Sequence, residues 1–186
     1  DPCAQTYKGT TAASEPEMQA LQNLMGSLFP DARGPNITDA APLTTRNMMM
    51  TMHSYGNYML FPWGHTNTDP PNNAGLRSMA FRFSWYNGYL TGTPGEVLYT
   101  TSGTTDDYAY GTLGVAASTI EFGSSTGSCG GFTPPYSCQD AFYNTNRNLL
   151  IYAGKLAREP YTLALGPNTH TQSVPPTSVV AGTSVT

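Results

Sequence analysis

The sequence predicts a layered α/β domain, and three observations lead to this prediction. Amphipathic helical patterns alternate with short apolar runs that are typical of buried strands. The chain of 186 residues is long enough for one domain with a hydrophobic core. Its composition changes after Leu165, where Gly, Pro, Thr and Ser replace the apolar pattern. We therefore expect a domain over residues 1–165, then a linker or the start of a following β-sandwich over 166–186.

The first regular element is predicted to be a helix over residues 15–29, after a loop over 1–13. Ser14 and Glu17 have the spacing of a capping box, in which two side chains satisfy backbone N–H groups at a helix start. Pro30 ends the pattern. The apolar positions that recur at helical spacing are Met18, Leu21, Leu24, Met25 and Leu28.

Four apolar runs are predicted to form strands. Residues 47–53 are rich in methionine and lack a polar alternation, which is typical of a strand buried in the centre of a sheet. Residues 57–62, 96–101 and 115–122 are predicted as further extended segments. Two more helices are expected, over about 74–87 and about 138–157. Helices separated by buried strands are what a layered α/β domain requires.

Charge and hydropathy exclude two classes of partner. The formal net charge is −4, and the eight Lys and Arg residues form no cluster, so neither nucleic acid nor an anionic membrane surface is an expected partner. No apolar run approaches the roughly 18 residues that span a bilayer. The chain has no leader and does not begin with Met, so we expect a processed or excised piece of a longer product.

The three cysteines predict one disulfide and leave one residue over. Cys129 and Cys138 enclose a loop rich in Gly and Pro, where a local disulfide would restrict an otherwise flexible segment. Cys3 is then either a buried thiol or one half of a disulfide to a cysteine upstream of this sequence; we favour the second.

His53 and Glu121 are the candidate chemical groups. Each lies near the end of a predicted apolar strand, where the backbone is held rigidly and the side chain can reach solvent. An unpaired carboxylate in an apolar strand is costly, and such groups often serve as bases or metal ligands. A structural histidine in the core and a water-facing glutamate on an edge strand are the alternatives.

Four stretches of the sequence together resemble the zinc carboxypeptidases of the pancreatic A/B type. They occur in family order, at similar separations, over about residues 2–165. The stretches are HSYGNYMLFPWG from His53, YTTSGTTDDYAY from Tyr99, STIE from Ser118, and PCAQTY from Pro2 with SEPE from Ser14. The resemblance implies the C-terminal half of a mixed-sheet α/β/α catalytic domain, in a secreted bacterial member of the family.

The resemblance also implies a role for each site residue. His53 would bind zinc, and Glu121 would take a proton from the attacking water and pass it to the leaving amine. Tyr99 would close over the substrate's C-terminal residue, while Ser54 and Tyr55 would line neighbouring subsites.

The resemblance places Asp106 where family members set the preference for the terminal side chain. An acid there implies a preference for peptides that end in Lys or Arg. The neighbouring Asp107 would be structural, and Tyr108 stands where many members have Trp.

The resemblance further implies that the active site needs a second segment. The family supplies two more zinc ligands from an upstream His-x-x-Glu motif, and nothing in this sequence replaces that motif. We expect an N-terminal half as partner, joined through Cys3, and an inactive chain in its absence. The alternatives are a non-enzymatic structural or assembly module and, with less support, a carbohydrate- or surface-binding module.

Overall fold

The computed structural model describes residues 2–4 and 7–166 of the chain. In this part, six α-helices and four strands form a mixed α/β fold, as predicted. Nearly all of the predicted linker, from residue 167 onward, lies outside the described residues, so the boundary at Leu165 stays a prediction.

The first helix, α1 (Pro16–Leu28), confirms the predicted segment, but its predicted capping box is wrong. Glu15 is the residue before the helix, and no side chain caps its N-terminus. The Ser14 hydroxyl instead donates to the Glu15 carboxylate at 2.9 Å, so it is not available to a backbone N–H group. The helix begins at a proline, which is favoured there because its ring presets the backbone angle.

The four strands form one mixed sheet. They are β1 (Met48–Ser54), β2 (Tyr58–Leu60), β3 (Leu90–Gly92) and β4 (Ala116–Phe122), in the spatial order β1-β4-β2-β3. Strand β4 runs parallel to β1 and antiparallel to β2, while β2 and β3 are parallel.

The methionine-rich strand is not the central one. Among the described residues β1 lies at an edge of the sheet, and Met52 is 52% exposed. The inner strand is β4, whose first five residues are buried. An apolar run predicts a strand but not its position in the sheet. That position depends on which strands, far along the chain, pair with it. Glu121 lies on β4, which has a strand on each side. The alternative that Glu121 is a water-facing residue of an edge strand is therefore excluded.

One face of the sheet packs on two helices. Helices α2 (Asn73–Asn87) and α5 (Gln139–Leu156) confirm the predicted segments and pack against each other. Gly88, at a φ of 71°, ends α2 in a left-handed conformation that glycine adopts without steric cost. The main hydrophobic core on this face includes Ala116, Ile120, Leu76, Phe83, Leu149 and Tyr152.

The opposite face of the sheet carries a second, smaller core. Ala117 of β4 packs there with Met25 of α1 and with Ala109 and Leu113 of a helix, α4 (Thr105–Leu113). Because neighbouring residues of a strand point to opposite faces, Ala117 belongs to the same face as Thr119 and Glu121. The layer of α1 and α4 therefore lies beside the candidate chemical groups.

The strand predicted over 96–101 is wrong. A short helix, α3 (Pro94–Val97), occupies its beginning, and residues 98–101 form no regular element. Thr93 and Glu96 stabilise the helix start, with the Thr93 N–H donating to Glu96 Oε2 at 2.8 Å. Helix α4 and the three-residue β3 were not predicted, and neither was α6 (Pro160–Leu163).

The predicted disulfide is present, since Cys129 and Cys138 are bonded. Cys3 is exposed, which excludes the alternative of a buried thiol. Its pairing with a cysteine upstream stays a prediction. In the described part of the chain, no helix combines the length and the apolarity that a bilayer span requires.

Candidate active site

The strand register brings His53 and Glu121 together. In the parallel pair β1–β4, His53 lies directly beside Glu121, and Thr51 lies directly beside Thr119. Residues that pair across neighbouring strands point to the same face, and the side-chain period of a strand is two. All four side chains therefore lie on the face of the sheet that α1 and α4 cover in part.

A cavity of about 560 Å³ opens on this face. It brings together four residues that sequence analysis assigned to the site: His53, Glu121, Tyr99 and Asp106. The strands supply the floor, and the segment from Leu98 to Asp106 supplies much of the wall. Residues 51 and 119 of the sheet and Leu21 of α1 complete this side of the cavity.

One oxygen of the Glu121 carboxylate has no hydrogen-bond partner among the described residues. Its Oε2 atom is buried and makes no hydrogen bond. Burial raises the pKa of Glu121 above its usual range, and the charge of nearby His53 offsets part of that rise. A carboxylate oxygen that is poorly solvated and has no hydrogen-bond partner is well suited to accept a proton.

His53 is exposed, and its Nε2 atom lies 3.0 Å from the Thr51 hydroxyl. An imidazole is a common zinc ligand, so His53 suits that role chemically. Among residues 2–4 and 7–166, however, no group of three or more His, Cys, Asp and Glu side chains could hold a metal ion. The described residues therefore do not form a complete zinc site by themselves.

Asp106 and Tyr99 differ sharply in exposure. Asp106 is 3% exposed in the first turn of α4, and it accepts hydrogen bonds from the Thr119 hydroxyl and the Asp107 N–H, each at 3.0 Å. Its carboxylate is thus held at the cavity wall. Tyr99 lies in the loop before α4 with 71% of its surface exposed, so little contact restrains its ring.

Ser54 and Tyr55 lie outside this cavity, against the disulfide-bonded loop. The Ser54 hydroxyl donates to the carbonyl oxygen of Phe132 at 3.0 Å. The Tyr55 ring packs edge-on against the Phe132 ring, with 4.9 Å between centroids. Ser54 is the last residue of the cavity-lining strand β1 and Tyr55 follows it, and their predicted subsite role stays a prediction.

Asp107 connects α4 to the segment that follows β2. Its carboxylate accepts the N–H of Gly64 at 2.8 Å, and the N–H and Nδ1 of His65 at 3.1 and 2.8 Å. Burial raises the pKa of Asp107, and these donors offset part of the rise. These contacts agree with a structural role.

Sequence analysis missed Thr51 and Thr119, whose hydroxyls contact His53 and Asp106. Each threonine lies two residues before a predicted site residue on the same strand. Because residues at that spacing point to the same face, the sequence could have predicted both threonines at the site.

A family model described as zinc carboxypeptidase matches residues 1–148. Mast cell carboxypeptidase A of Homo sapiens is 29% identical over 116 residues, which are 59% of this chain and 24% of the relative. Carboxypeptidase B of Helicoverpa zea is 27% identical over 164 residues, 82% of this chain and 35% of the relative.

The fold has a counterpart among solved structures. Bovine thrombin-activatable fibrinolysis inhibitor, solved in complex with a tick carboxypeptidase inhibitor, matches with a TM-score of 0.59 at 18% identity. The match covers 88% of this chain and 50% of that chain. The chain spans at most about a third of the two curated relatives named above.

Zinc is the metal expected in this family, and the residue pattern, the cavity and the fold agree with the family match. The chain therefore belongs to the zinc carboxypeptidase family.

Proposed function

We propose that this chain forms part of the active site of a zinc-dependent exopeptidase that hydrolyses the C-terminal peptide bond of peptides. The observation that carries the proposal is that His53, Glu121, Tyr99 and Asp106 line one cavity. The relatives named as carboxypeptidases support the class of reaction.

The proposed mechanism assigns proton transfer to Glu121. When bound, zinc supplies Lewis-acid activation of water. Glu121 accepts a proton from the attacking water and delivers it to the nitrogen of the leaving amino acid. The buried Oε2 atom supports this role because no group among the described residues makes a hydrogen bond to it. His53 contributes one metal-binding nitrogen.

The substrate's terminal residue occupies the cavity in this proposal. Asp106 carries a buried carboxylate at the wall and favours a terminal Lys or Arg through charge pairing. Tyr99, which is exposed and part of the same wall, closes over that residue. Ser54 and Tyr55 contact the preceding substrate residues.

The remaining zinc ligands come from a segment outside these residues. A catalytic zinc normally has three protein ligands, and the described residues contain no group of three that could bind it. We propose an N-terminal half of the catalytic domain as this partner, linked through Cys3. We further propose a secreted enzyme, since the Cys129–Cys138 disulfide is of a kind that persists outside the reducing cytosol.

A second candidate function is a non-enzymatic assembly module, and the position of β1 favours it. In the described part of the sheet, one side of β1 pairs with β4 and the other has no strand beside it. A strand edge of this kind is a surface for pairing with another chain. In this alternative, pairing occurs and no zinc is bound.

Mass spectrometry of the natural protein, with and without reduction, tests the proposal. We expect a companion segment with a His-x-x-Glu motif that separates from this chain on reduction. The intact assembly should contain one zinc per catalytic domain and should release C-terminal Lys or Arg from a synthetic peptide. A chain that occurs alone, with no zinc and no peptidase activity, would favour the assembly module.

A further inference from the structure

The cavity wall changes from buried to exposed directly after α3. Pro94, the first residue of α3, is buried, whereas Leu98, Tyr99 and Thr100 are exposed. Pro94, Leu98 and Tyr99 all line the cavity. Exposed residues have few contacts that hold them in place, so the position of Tyr99 depends on how this segment is fixed at its two ends.

The end of the segment is held by the backbone that follows β2. The Thr101 N–H donates to the carbonyl oxygen of Gly64 at 2.8 Å. Gly64 is itself fixed, because its own N–H donates to the Asp107 carboxylate at 2.8 Å. Only residues 98–100 therefore lie between the end of α3 and this fixed point.

The start of the segment is held by Arg77 of α2, which binds Glu96 of α3. Arg77 Nη2 donates to Glu96 Oε1 at 2.7 Å, and Glu96 Oε2 accepts the Thr93 N–H at 2.8 Å. The hydrogen bond from Arg77 lowers the pKa of Glu96 below its usual range, so the carboxylate is charged at neutral pH. One carboxylate thus connects the beginning of α3 to a side chain of α2.

Arg77 is restrained by groups other than Glu96. Its guanidinium carbon lies 5.1 Å from the centroid of the Phe61 ring, and Phe61 is fully buried in the main core. A second carboxylate, that of Asp69, lies 3.8 Å from Arg77 Nη2. Arg77 therefore links the position of α3 to that of the core.

We infer that Arg77 is a positioning residue for Tyr99: through Glu96 it fixes α3, so that only Leu98, Tyr99 and Thr100 move when Tyr99 closes over the substrate. The closing movement rests on the proposed function, whereas the anchoring of α3 can be measured without substrate. A short segment that is fixed at both ends loses less conformational entropy on closing than a longer one, so the anchor favours substrate binding.

Amide hydrogen exchange of the 186-residue chain, measured for each residue by NMR, tests the anchoring. The Val97 and Leu98 amides are the reporters, because both are hydrogen-bonded within α3. Arg77→Gln should speed their exchange by about two- to fivefold, the factor expected for the loss of a half-exposed ion pair. The Thr101 amide, at the other fixed point, should exchange at the wild-type rate.

Two further variants separate anchoring from a general loss of stability. Glu96→Gln retains an oxygen for the Thr93 N–H and should speed exchange by a similar factor, which keeps the test decisive if Arg77→Gln does not fold. The double variant should exchange no faster than the faster single variant, because both changes remove the same ion pair. Arg82→Gln is the matched control, since this arginine of α2 donates to the Ala164 carbonyl oxygen and should leave exchange within α3 unchanged. Additive single effects, or an equal effect of Arg82→Gln, would contradict the inference.

Peptide hydrolysis by the assembled enzyme tests the positioning of Tyr99. Arg77→Gln should raise KM by about two- to fivefold and leave kcat unchanged, because closing a less restrained segment costs more entropy while the proton-transfer groups are untouched. Arg82→Gln should leave both constants unchanged. An ion pair that merely stabilises the fold would leave KM unchanged, and that result, or unchanged exchange within α3, would overturn the inference. Absence of peptidase activity in wild type would refute the proposed function instead, and the exchange pattern would then decide whether Arg77 anchors α3.

Discussion

The two faces of the sheet use the same strands for different purposes. On β4, Ala116 and Ile120 belong to the main hydrophobic core beneath α2 and α5. The residues between and after them, Thr119 and Glu121, line the cavity on the opposite face. The first, largely apolar face holds the main core, whereas the second, more polar face combines a smaller core with the cavity. Because successive residues of a strand point to opposite faces, a strand that is fixed by the core on one face also fixes the reactive side chains on the other.

The largest effect is expected from Glu121→Gln on the polar face. If Glu121 transfers protons, kcat of the assembled enzyme should fall by about 10²–10⁴-fold. Peptide hydrolysis at substrate saturation measures this change. Glu17→Gln, at an exposed position of α1, should retain full activity and serves as the matched control. Retention of kcat in Glu121→Gln would exclude Glu121 as the base.

Glu121→Gln should lower activity but should not lower the stability of the fold. The pKa of Glu121 is raised in the fold, so folding favours its protonated form. Its contribution to stability is therefore present at low pH and lost as the pH rises through the raised pKa. Urea unfolding should show Glu121→Gln at least as stable as wild type near pH 7, with a smaller difference near pH 4.

On the apolar face, Phe83→Ala should cost about 3–5 kcal/mol of stability. Phe83 is fully buried in the main core, and truncation removes its burial and leaves a cavity. Urea unfolding of the chain measures the loss. Phe81→Ala, on the same helix with Phe81 52% exposed, should cost much less. Equal losses at the two positions would contradict the assigned core.

Asp106→Ile tests the substrate preference at the cavity wall. The loss of one buried charge partner should lower kcat/KM for peptides ending in Lys or Arg by about 10–100-fold relative to apolar ends. Asp106→Asn keeps the shape and separates charge from packing, because an amide oxygen can still accept the Thr119 hydroxyl. Unchanged selectivity in both variants would contradict the assignment of Asp106.

A loss of stability is expected from Asp107→Ala, which removes the polar connection between α4 and the segment after β2. The N–H groups of Gly64 and His65 lose their acceptor, so stability should fall by about 1–3 kcal/mol in urea unfolding. Asp107→Asn retains an oxygen acceptor and should lose less. A purely catalytic role would show the reverse pattern, with activity lost and stability kept.

Local signals in the sequence predicted the long elements well. The helices α1, α2 and α5 have long patterns with defined ends, and these fall within two residues of the predicted limits. Helix α4 was missed because Thr, Asp and Gly have low helix propensity. Its stability comes from tertiary packing, since Tyr110 and Leu113 are buried and Asp107 connects it to His65.

The order of strands could not be predicted from local patterns. The methionines of β1 indicate a strand, but pairing with β4, more than sixty residues later in the chain, determines its place at the sheet edge. The strand pattern identified His53 and Glu121 as candidate groups and the resemblance supplied their roles, whereas their adjacency follows from that same register. The roles assigned to them remain predictions.

The two consecutive acids at the start of α4 have a consequence for how readily selectivity can change. Asp107 bonds to the backbone and to the His65 side chain of another segment, while Asp106 bonds to one hydroxyl and to the backbone N–H next to it. Replacing Asp106 therefore leaves the anchoring of the helix in place. If Asp106 sets the substrate preference as proposed, that preference can change by substitution at position 106 while Asp107 keeps α4 attached to the segment after β2.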